Sequence, residues 1–195
     1  PDYILCPENR VDEFIEAWKA QVTQSYPTML NNPDFTAIVN ERQHTRLTGY
    51  VQEAREKGAT VIEFKPGMDV FTGRLKIPHT MVLNVTDDMR IAQDEIFGPL
   101  MIVVPYKNLD DAIEYVNDRP RPLALYYFDW NQDNCSHVLK NTHSGGVCLN
   151  DTISHVGVDD IPFGGIGPSG MGAYHGPEGF QTCLLYTSPS PRDSR

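Results

Sequence analysis

Apolar residues recur every three or four positions in two stretches of the first sixty residues, which is the spacing of an amphipathic helix. Residues 40–59 have such a stripe in Leu47, Val51 and Ala54, and Gly58 fits the end of a helix. Residues 9–26 have another, with Asn9 placed to cap the helix and an apolar face made of Val11, Phe14, Ile15, Trp18 and Val22. The pattern predicts two helices, followed by a short strand at residues 60–64.

The pattern changes from Thr80 onward, where short continuous apolar runs alternate with helical periodicity. Strands that are apolar on both faces and separated by helices are typical of a parallel sheet covered on both sides. The sequence therefore predicts an α/β fold, with a mostly parallel sheet and flanking helices. The predicted strands are 80–85, 100–106, 123–128 and 145–150, and the predicted helices are 109–118 and 133–144. After Asn150 the chain is rich in glycine and predicts loops with little regular structure.

Composition excludes several classes of partner. The formal net charge of −10 disfavours nucleic acid, whose phosphates an acidic surface repels. No apolar run approaches the roughly 18 residues of a membrane span, and no secretory signal is recognisable. The four cysteines and six histidines have no metal-ligand spacing, so we expect no metal and a reduced, cytoplasmic location. Cys148 lies in a predicted buried strand without a basic neighbour, which disfavours a nucleophile.

The glycines at 165, 167 and 170 spell G-x-G-x-x-G. A dinucleotide fingerprint must leave a strand and open a helix, so that the pyrophosphate meets the helix N-terminus. Pro168 lies inside this motif, and Gly176 and Pro177 disfavour a following helix. We interpret the glycines as a tight loop and not as a nucleotide site.

Two further features are chemically suggestive. His155 stands in the glycine-rich segment, where ligand contacts concentrate, although a hydrogen-bonded structural histidine is the more common case. The stretch "DEIFGP", residues 94–99, places a carboxylate and an aromatic ring two positions apart before Gly98-Pro99. Residue chemistry alone favours a turn in which Phe97 plugs the core.

Four segments together resemble the aldehyde dehydrogenase superfamily in wording, order and spacing. They are "QDEIFGPLMIVVPY", "RPLALYYF", "SGGVCLND" and "PFGGIGPSGMGAYHGPEGF". The resemblance runs from Pro1 to about Thr182. The segments "IVNERQ" and "VLNVTDDMR" are most similar to the branch of bacterial coniferyl-aldehyde dehydrogenases, which oxidise aromatic or long-chain aldehydes.

The resemblance implies an incomplete catalytic domain over residues 1–182. In the family, the nucleophilic cysteine, the general-base glutamate and the nucleotide-binding domain precede the segment that begins at Pro1. We therefore expect no catalytic residue in this chain, and no activity from the chain alone. The parent enzyme would be a homodimer using NAD or NADP to oxidise an aldehyde to its acid through a cysteine thioester. The alternative that the residues leave open is a non-catalytic α/β module that binds a protein.

The resemblance also implies site residues. Glu95 would accept hydrogen bonds from the nicotinamide-ribose hydroxyls, and Phe97 would pack beside the nicotinamide. We expect both side chains to face an open cleft from an extended loop. His155 and Phe163 match positions that line the aldehyde tunnel, and Asn150 matches a structural residue near the site.

Residues 183–195 depart from the family. The string "CLLYTSPSPRDSR" resembles a translated sequencing adaptor. We expect it to be non-native and not to pack on the core, although Leu184–Tyr186 could occupy the place of a family strand.

Overall fold

The computed structural model describes residues 1–68, 70–71 and 74–187. The chain forms two compact units, Pro1–Asn108 and Leu109–Arg195. The prediction of one domain over residues 1–182 stays a prediction.

The first unit is built on a four-stranded sheet. Its strands are β1 (Tyr3–Pro7), β2 (Thr60–Phe64), β3 (His79–Leu83) and β4 (Leu100–Tyr106), in the order β1-β4-β3-β2. β4 is parallel to both β1 and β3, and β2 alone is antiparallel to its neighbour β3. The mostly parallel sheet with flanking helices is confirmed.

β1 was not among the predicted strands. It pairs with β4 from Tyr3↔Ile102 to Pro7↔Tyr106. Its local signal is weak because the apolar run is short and Pro7 ends it at once. What makes it a strand is a partner about a hundred positions away, which a local pattern does not reveal.

Two helices cover the two faces of this sheet. Alternation along a strand sends neighbouring side chains to opposite faces. Val82 and Ile102 therefore pack with α2 (Glu41–Glu56), whereas Met81 and Val103 pack with α1 (Val11–Ser25). The face of α2 consists of Leu47, Tyr50, Val51 and Ala54, all buried.

The helix caps differ from one another. Asn40 caps α2, its side-chain oxygen accepting the Gln43 N–H at 3.0 Å, and Gly58 follows the helix with a positive φ of 91°. The prediction that Asn9 caps α1 is wrong. Asn9 lies within a 3₁₀ turn, Glu8–Arg10, and the N-cap residue is Arg10, without a side-chain cap bond.

The second unit has a strand–helix–strand core. After α4 (Leu109–Asn117) come β5 (Ala124–Tyr127), α5 (Gln132–Asn141) and β6 (Gly146–Leu149), with β5 and β6 parallel.

A short α3 (Arg90–Gln93), which the sequence pattern did not predict, lies before β4 in the first unit. No helix in the described part of the chain is both long and apolar enough to cross a bilayer.

The last helix, α6 (Gly176–Thr187), corrects two predictions. Gly176 and Pro177 do not disfavour it, since they form its first turn, where proline loses no hydrogen bond. The alternative of a strand at Leu184–Tyr186 is also wrong, because these residues are helical. Cys183 and Leu184 are exposed. Residues 188–195 lie outside the described residues, so the non-native origin of the tail stays a prediction.

Candidate cofactor and substrate site

The "DEIFGP" segment is the connection between α3 and β4. Glu95 is exposed, and Phe97 exposes 81% of its surface. The alternative in which Phe97 plugs the core is therefore wrong. Ile96, between them, fills that role with 1% exposure. The loop thus turns its apolar anchor inward and presents a carboxylate and an aromatic ring to solvent.

The backbone of the loop is not extended throughout. Phe97 has φ of +46°, in the left-handed region that side chains rarely adopt. We expected Glu95 and Phe97 to point the same way because the chain would be extended, and this assumed extended backbone is wrong. The exposure of both side chains follows instead from burial of Ile96 and from the turn at Phe97.

Two side chains distant in sequence fix this loop. Arg46 of α2 donates hydrogen bonds to the carbonyl oxygens of Glu95, at 3.0 Å, and Ile96, at 2.6 Å. Asp2 accepts the Ile96 N–H at 2.8 Å. Both backbone groups of Ile96 are thereby satisfied by side chains, which removes the freedom of the loop to move away from α2.

Sterics and charge hold the two ends of the loop. A side chain at Gly98 would lie 2.6 Å from a Leu47 methyl, so α2 and the loop are in close contact. At the other end, the Tyr50 hydroxyl donates to Asp94 at 2.5 Å. The Arg46 and Arg90 guanidinium groups lie 5.1 and 5.0 Å from the Tyr50 ring centroid, a cation–π arrangement.

The Glu95 carboxylate has no hydrogen bond or ion pair with any residue that the structure describes. Its backbone is fixed by Arg46, whereas its oxygens remain open to a ligand. A carboxylate can accept from two neighbouring hydroxyls at once. The loop is therefore a suitable place to bind a diol, with Phe97 as an adjacent aromatic wall.

Sequence reasoning missed Asp2, Arg46 and Tyr50. Arg46 lies 50 positions before Ile96, and nothing in the local pattern around "RLTGY" distinguishes it from a solvated helix residue. Only the packing of α2 beside the loop reveals its role.

The second unit brings His155 and Phe163 together. Their ring centroids are 5.4 Å apart, and Tyr126 of β5 lies 5.9 Å from His155. Phe163 is held by an antiparallel bridge to Tyr174, with backbone bonds of 2.8 and 2.9 Å and an edge-on ring contact. The glycine-rich segment thus forms an aromatic cluster of His155, Phe163, Tyr126 and Tyr174.

Cys148 corrects one prediction directly. It is buried, as expected, but it does have a basic neighbour: its Sγ lies 3.0 Å from Nδ1 of His155. The six intervening residues lead back into the 3₁₀ turn Ser154–Gly157, which places the imidazole over β6. Nε2 of His155 is buried without a hydrogen-bond partner in the described structure.

Asn150 ties the end of β6 to the turn after β5. Its side-chain oxygen accepts the Asp129 N–H and its amide donates to the Asp129 carbonyl, both at 2.9 Å. Its own N–H bonds Tyr127, and its φ is +55°. These contacts hold two backbone segments together, which is a structural role.

The glycine motif is a tight loop. Gly167–Ser169 is a single 3₁₀ turn, and Gly167 and Gly170 have φ of +61° and +156°. A side chain at Gly165 would lie 2.2 Å from the Ser169 carbonyl oxygen. No strand precedes the motif and α6 begins only at Gly176, so the phosphate geometry of a dinucleotide fingerprint is absent from these described residues.

Among the residues that the structure describes, no group of three or more His, Cys, Asp or Glu side chains could hold a metal ion.

The chain matches known proteins over nearly its whole length. The aldehyde dehydrogenase family profile matches residues 1–188. A Pseudomonas aeruginosa protein named "Probable coniferyl aldehyde dehydrogenase" is 57% identical over 183 residues, which cover 93% of this chain and 37% of that protein. The chain thus spans well under half the length of this curated relative.

The fold is also similar to those of solved structures. A substrate-bound AldH from Staphylococcus aureus superposes with a TM-score of 0.84 at 35% identity, over 93% of this chain and 39% of that one. A betaine aldehyde dehydrogenase double mutant from the same organism, in complex with NAD⁺, gives 0.78 at 27% identity, over 93% and 37%.

Proposed function

Because the chain belongs to the aldehyde dehydrogenase family, we propose that it orients the nicotinamide end of the cofactor and lines the aldehyde path in an NAD(P)-dependent aldehyde dehydrogenase. The observation that carries this proposal is the solvent-facing pair Glu95 and Phe97 on a loop fixed by Arg46. The identity of 57% with a coniferyl-type relative supports an aromatic aldehyde as substrate.

Glu95 acts as an acceptor for the two hydroxyls of the nicotinamide ribose. When bound, the nicotinamide supplies the hydride acceptor of the reaction. Phe97 limits the positions that the nicotinamide ring can occupy. Holding the ring close to the reacting carbon lowers the free-energy barrier to hydride transfer. Arg46 keeps the loop in place without touching the ligand.

His155 and Phe163 form part of the wall along which the aldehyde reaches the reacting centre. An aromatic wall suits an aromatic aldehyde, since offset and edge contacts between rings are favourable. Asn150 supports this wall by holding the end of β6 to the β5 turn.

The covalent chemistry uses a cysteine that the rest of the enzyme supplies. Of the cysteines in the described chain, Cys6, Cys135 and Cys148 are buried, and Cys183, which is exposed, lies in the segment that departs from the family. Burial also raises the pKa of the Cys6 thiol, which disfavours the thiolate. We expect the thiolate to add to the aldehyde carbon and form a thiohemiacetal. Loss of a hydride from that carbon to the nicotinamide would give the thioester, and water would then release the acid and free the thiolate. A homodimeric parent and a cytoplasmic location stay predictions.

A chimera tests the proposal. Residues 1–183 of this chain replace the matched segment of the P. aeruginosa relative, and NAD(P)H formation is measured with coniferaldehyde. We expect turnover by the chimera and none by the 195-residue chain alone. A folded chimera without turnover would favour the alternative of a non-catalytic module. Turnover by the chain alone would show that its chemistry does not need an external nucleophile.

A further inference from the structure

A small cavity in the second unit lies where α4 and α5 end. Its volume is about 290 Å³, near the lower end of the range of about 300–1,000 Å³ for small-molecule sites. Its lining consists of Val116, Asn117, Arg119, Arg121, Lys140, Asn141, Thr142 and His143.

The charge of this cavity is opposite to that of the protein. Three of its residues, Arg119, Arg121 and Lys140, are cations, His143 is a fourth basic side chain, and none of the lining residues is Asp or Glu. The whole chain carries a formal charge of −10. Cations gathered in a concave polar site within an acidic protein focus a positive potential there.

The cavity has a fixed floor. The Arg119 guanidinium stacks on the Tyr115 ring, 3.3 Å from its centroid, and donates to the Tyr115 carbonyl at 3.0 Å. The Asn117 amide donates to the Asn141 carbonyl at 2.8 Å and so joins the ends of the two helices. Arg119 and Asn117 are therefore held in place before any ligand arrives, which lowers the entropic cost of binding.

The other cations are available to a ligand. Arg121, Lys140 and His143 are exposed and have no ion pair or hydrogen bond with any residue in the described ranges. An ordinary role for basic side chains here is to complement the negative ends of helix dipoles. That role suits Lys140, in the last turn of α5, but Arg121 and His143 lie beyond the ends of both helices.

We infer that this cavity binds a phosphate-type dianion, with Arg121 and Lys140 as the binding cations beside the fixed charge of Arg119. The planar guanidinium offers paired N–H groups that match phosphate oxygens, and Lys140 adds a point charge. The charge of a dianion matches several cations better than a single carboxylate does. The site does not depend on the proposed dehydrogenase function.

Titration of the ¹⁵N-labelled 195-residue chain with inorganic phosphate tests this, at constant ionic strength maintained with chloride. We expect saturable amide shifts confined to residues 116–121 and 140–143. β-Glycerophosphate in a parallel titration distinguishes a phosphate monoester from free phosphate as the preferred form. Acetate should bind at least several-fold more weakly than either.

Variants that each remove one positive charge provide a second test of phosphate binding. Arg121→Gln and Lys140→Gln should each weaken phosphate binding by about twofold to fivefold, the range expected for exposed charge pairs. Lys107→Gln, an exposed lysine of the other unit, should leave it unchanged. Circular dichroism confirms that the variants remain folded. Shifts that spread over all basic residues, fail to saturate, or are equal for acetate would overturn the proposal.

Discussion

Arg46 donates a hydrogen bond of 2.6 Å to the carbonyl oxygen of Ile96, fifty residues away, and a second of 3.0 Å to Glu95. The helix α2 thereby determines where the candidate cofactor loop lies. A residue in the middle of a helix, remote in sequence from the loop, thus positions the groups that we propose bind the ligand.

Replacing Arg46 with methionine should destabilise the first unit. Two backbone carbonyls lose a charged donor, and Ile96 is buried, so a cost of about 1–3 kcal/mol is expected. Urea unfolding measures it. Arg42→Met, at an exposed position one turn earlier on α2, is the matched control and should change stability little. Equal effects of the two substitutions would contradict the anchoring role.

Replacing Glu95 with glutamine in the chimera should slow hydride transfer by about tenfold to a hundredfold. Charge-assisted hydrogen bonds contribute roughly 1.5–3 kcal/mol, and each 1.36 kcal/mol is tenfold in rate. Single-turnover NAD(P)H formation is the measurement. Glu114→Gln, at an exposed position of α4, serves as the control. Unchanged rate and cofactor affinity would leave Glu95 a surface residue.

An alanine at position 165 should strongly destabilise the second unit. Its methyl group would lie 2.2 Å from the Ser169 carbonyl oxygen, and backbone atoms cannot turn aside as a flexible side chain can. Overpacking of this kind costs about 1–3 kcal/mol or more. Gly157→Ala, where no atom lies within 4 Å, should be tolerated. Thermal melts of both variants would show the difference, and similar melting temperatures would refute the tight loop.

His79 should make stability fall as the solution becomes acidic. Burial lowers the pKa of its imidazole, which packs against Tyr26 and Phe35 and leaves Nε2 without a hydrogen-bond partner in the described structure. The folded state therefore binds fewer protons than the unfolded state below the unfolded pKa of about 6.5. Stability is fully present above that pH and declines below it, until the pH reaches the folded pKa.

The test is the free energy of unfolding at several pH values between neutral and mildly acidic. His79→Phe keeps a ring among the aromatic neighbours but removes the titration, so its stability should depend less on pH. A wild-type slope retained in this variant would assign the effect to other groups.

Periodicity predicted the elements whose own residues determine them. α2 has its apolar stripe and its Gly58 end within about twenty residues, and both lie close to their expected places. β1 and α6 were not predicted, for two different reasons. β1 is a strand because it pairs with β4, which is distant in sequence. α6 begins at a Gly-Pro pair, which local propensity assigns to a loop.

For the candidate site, the resemblance pointed to Glu95 and Phe97, but the contacts that place the two side chains could not be predicted. Local chemistry alone would have buried Phe97. The choice between Ile96 and Phe97 as the buried residue depends on the Arg46 and Asp2 contacts. Likewise the contact between Cys148 and His155 depends on how the segment after β6 turns back, which no spacing rule predicts.

Phe97 combines a left-handed backbone with an aromatic ring that is 81% exposed. Each is a free-energy cost to the folded chain. Glycine would adopt the same φ without strain and leave no apolar surface in water. A chain selected only to fold well would therefore carry glycine at position 97, and the phenylalanine there accords with the ligand contact that we propose for it.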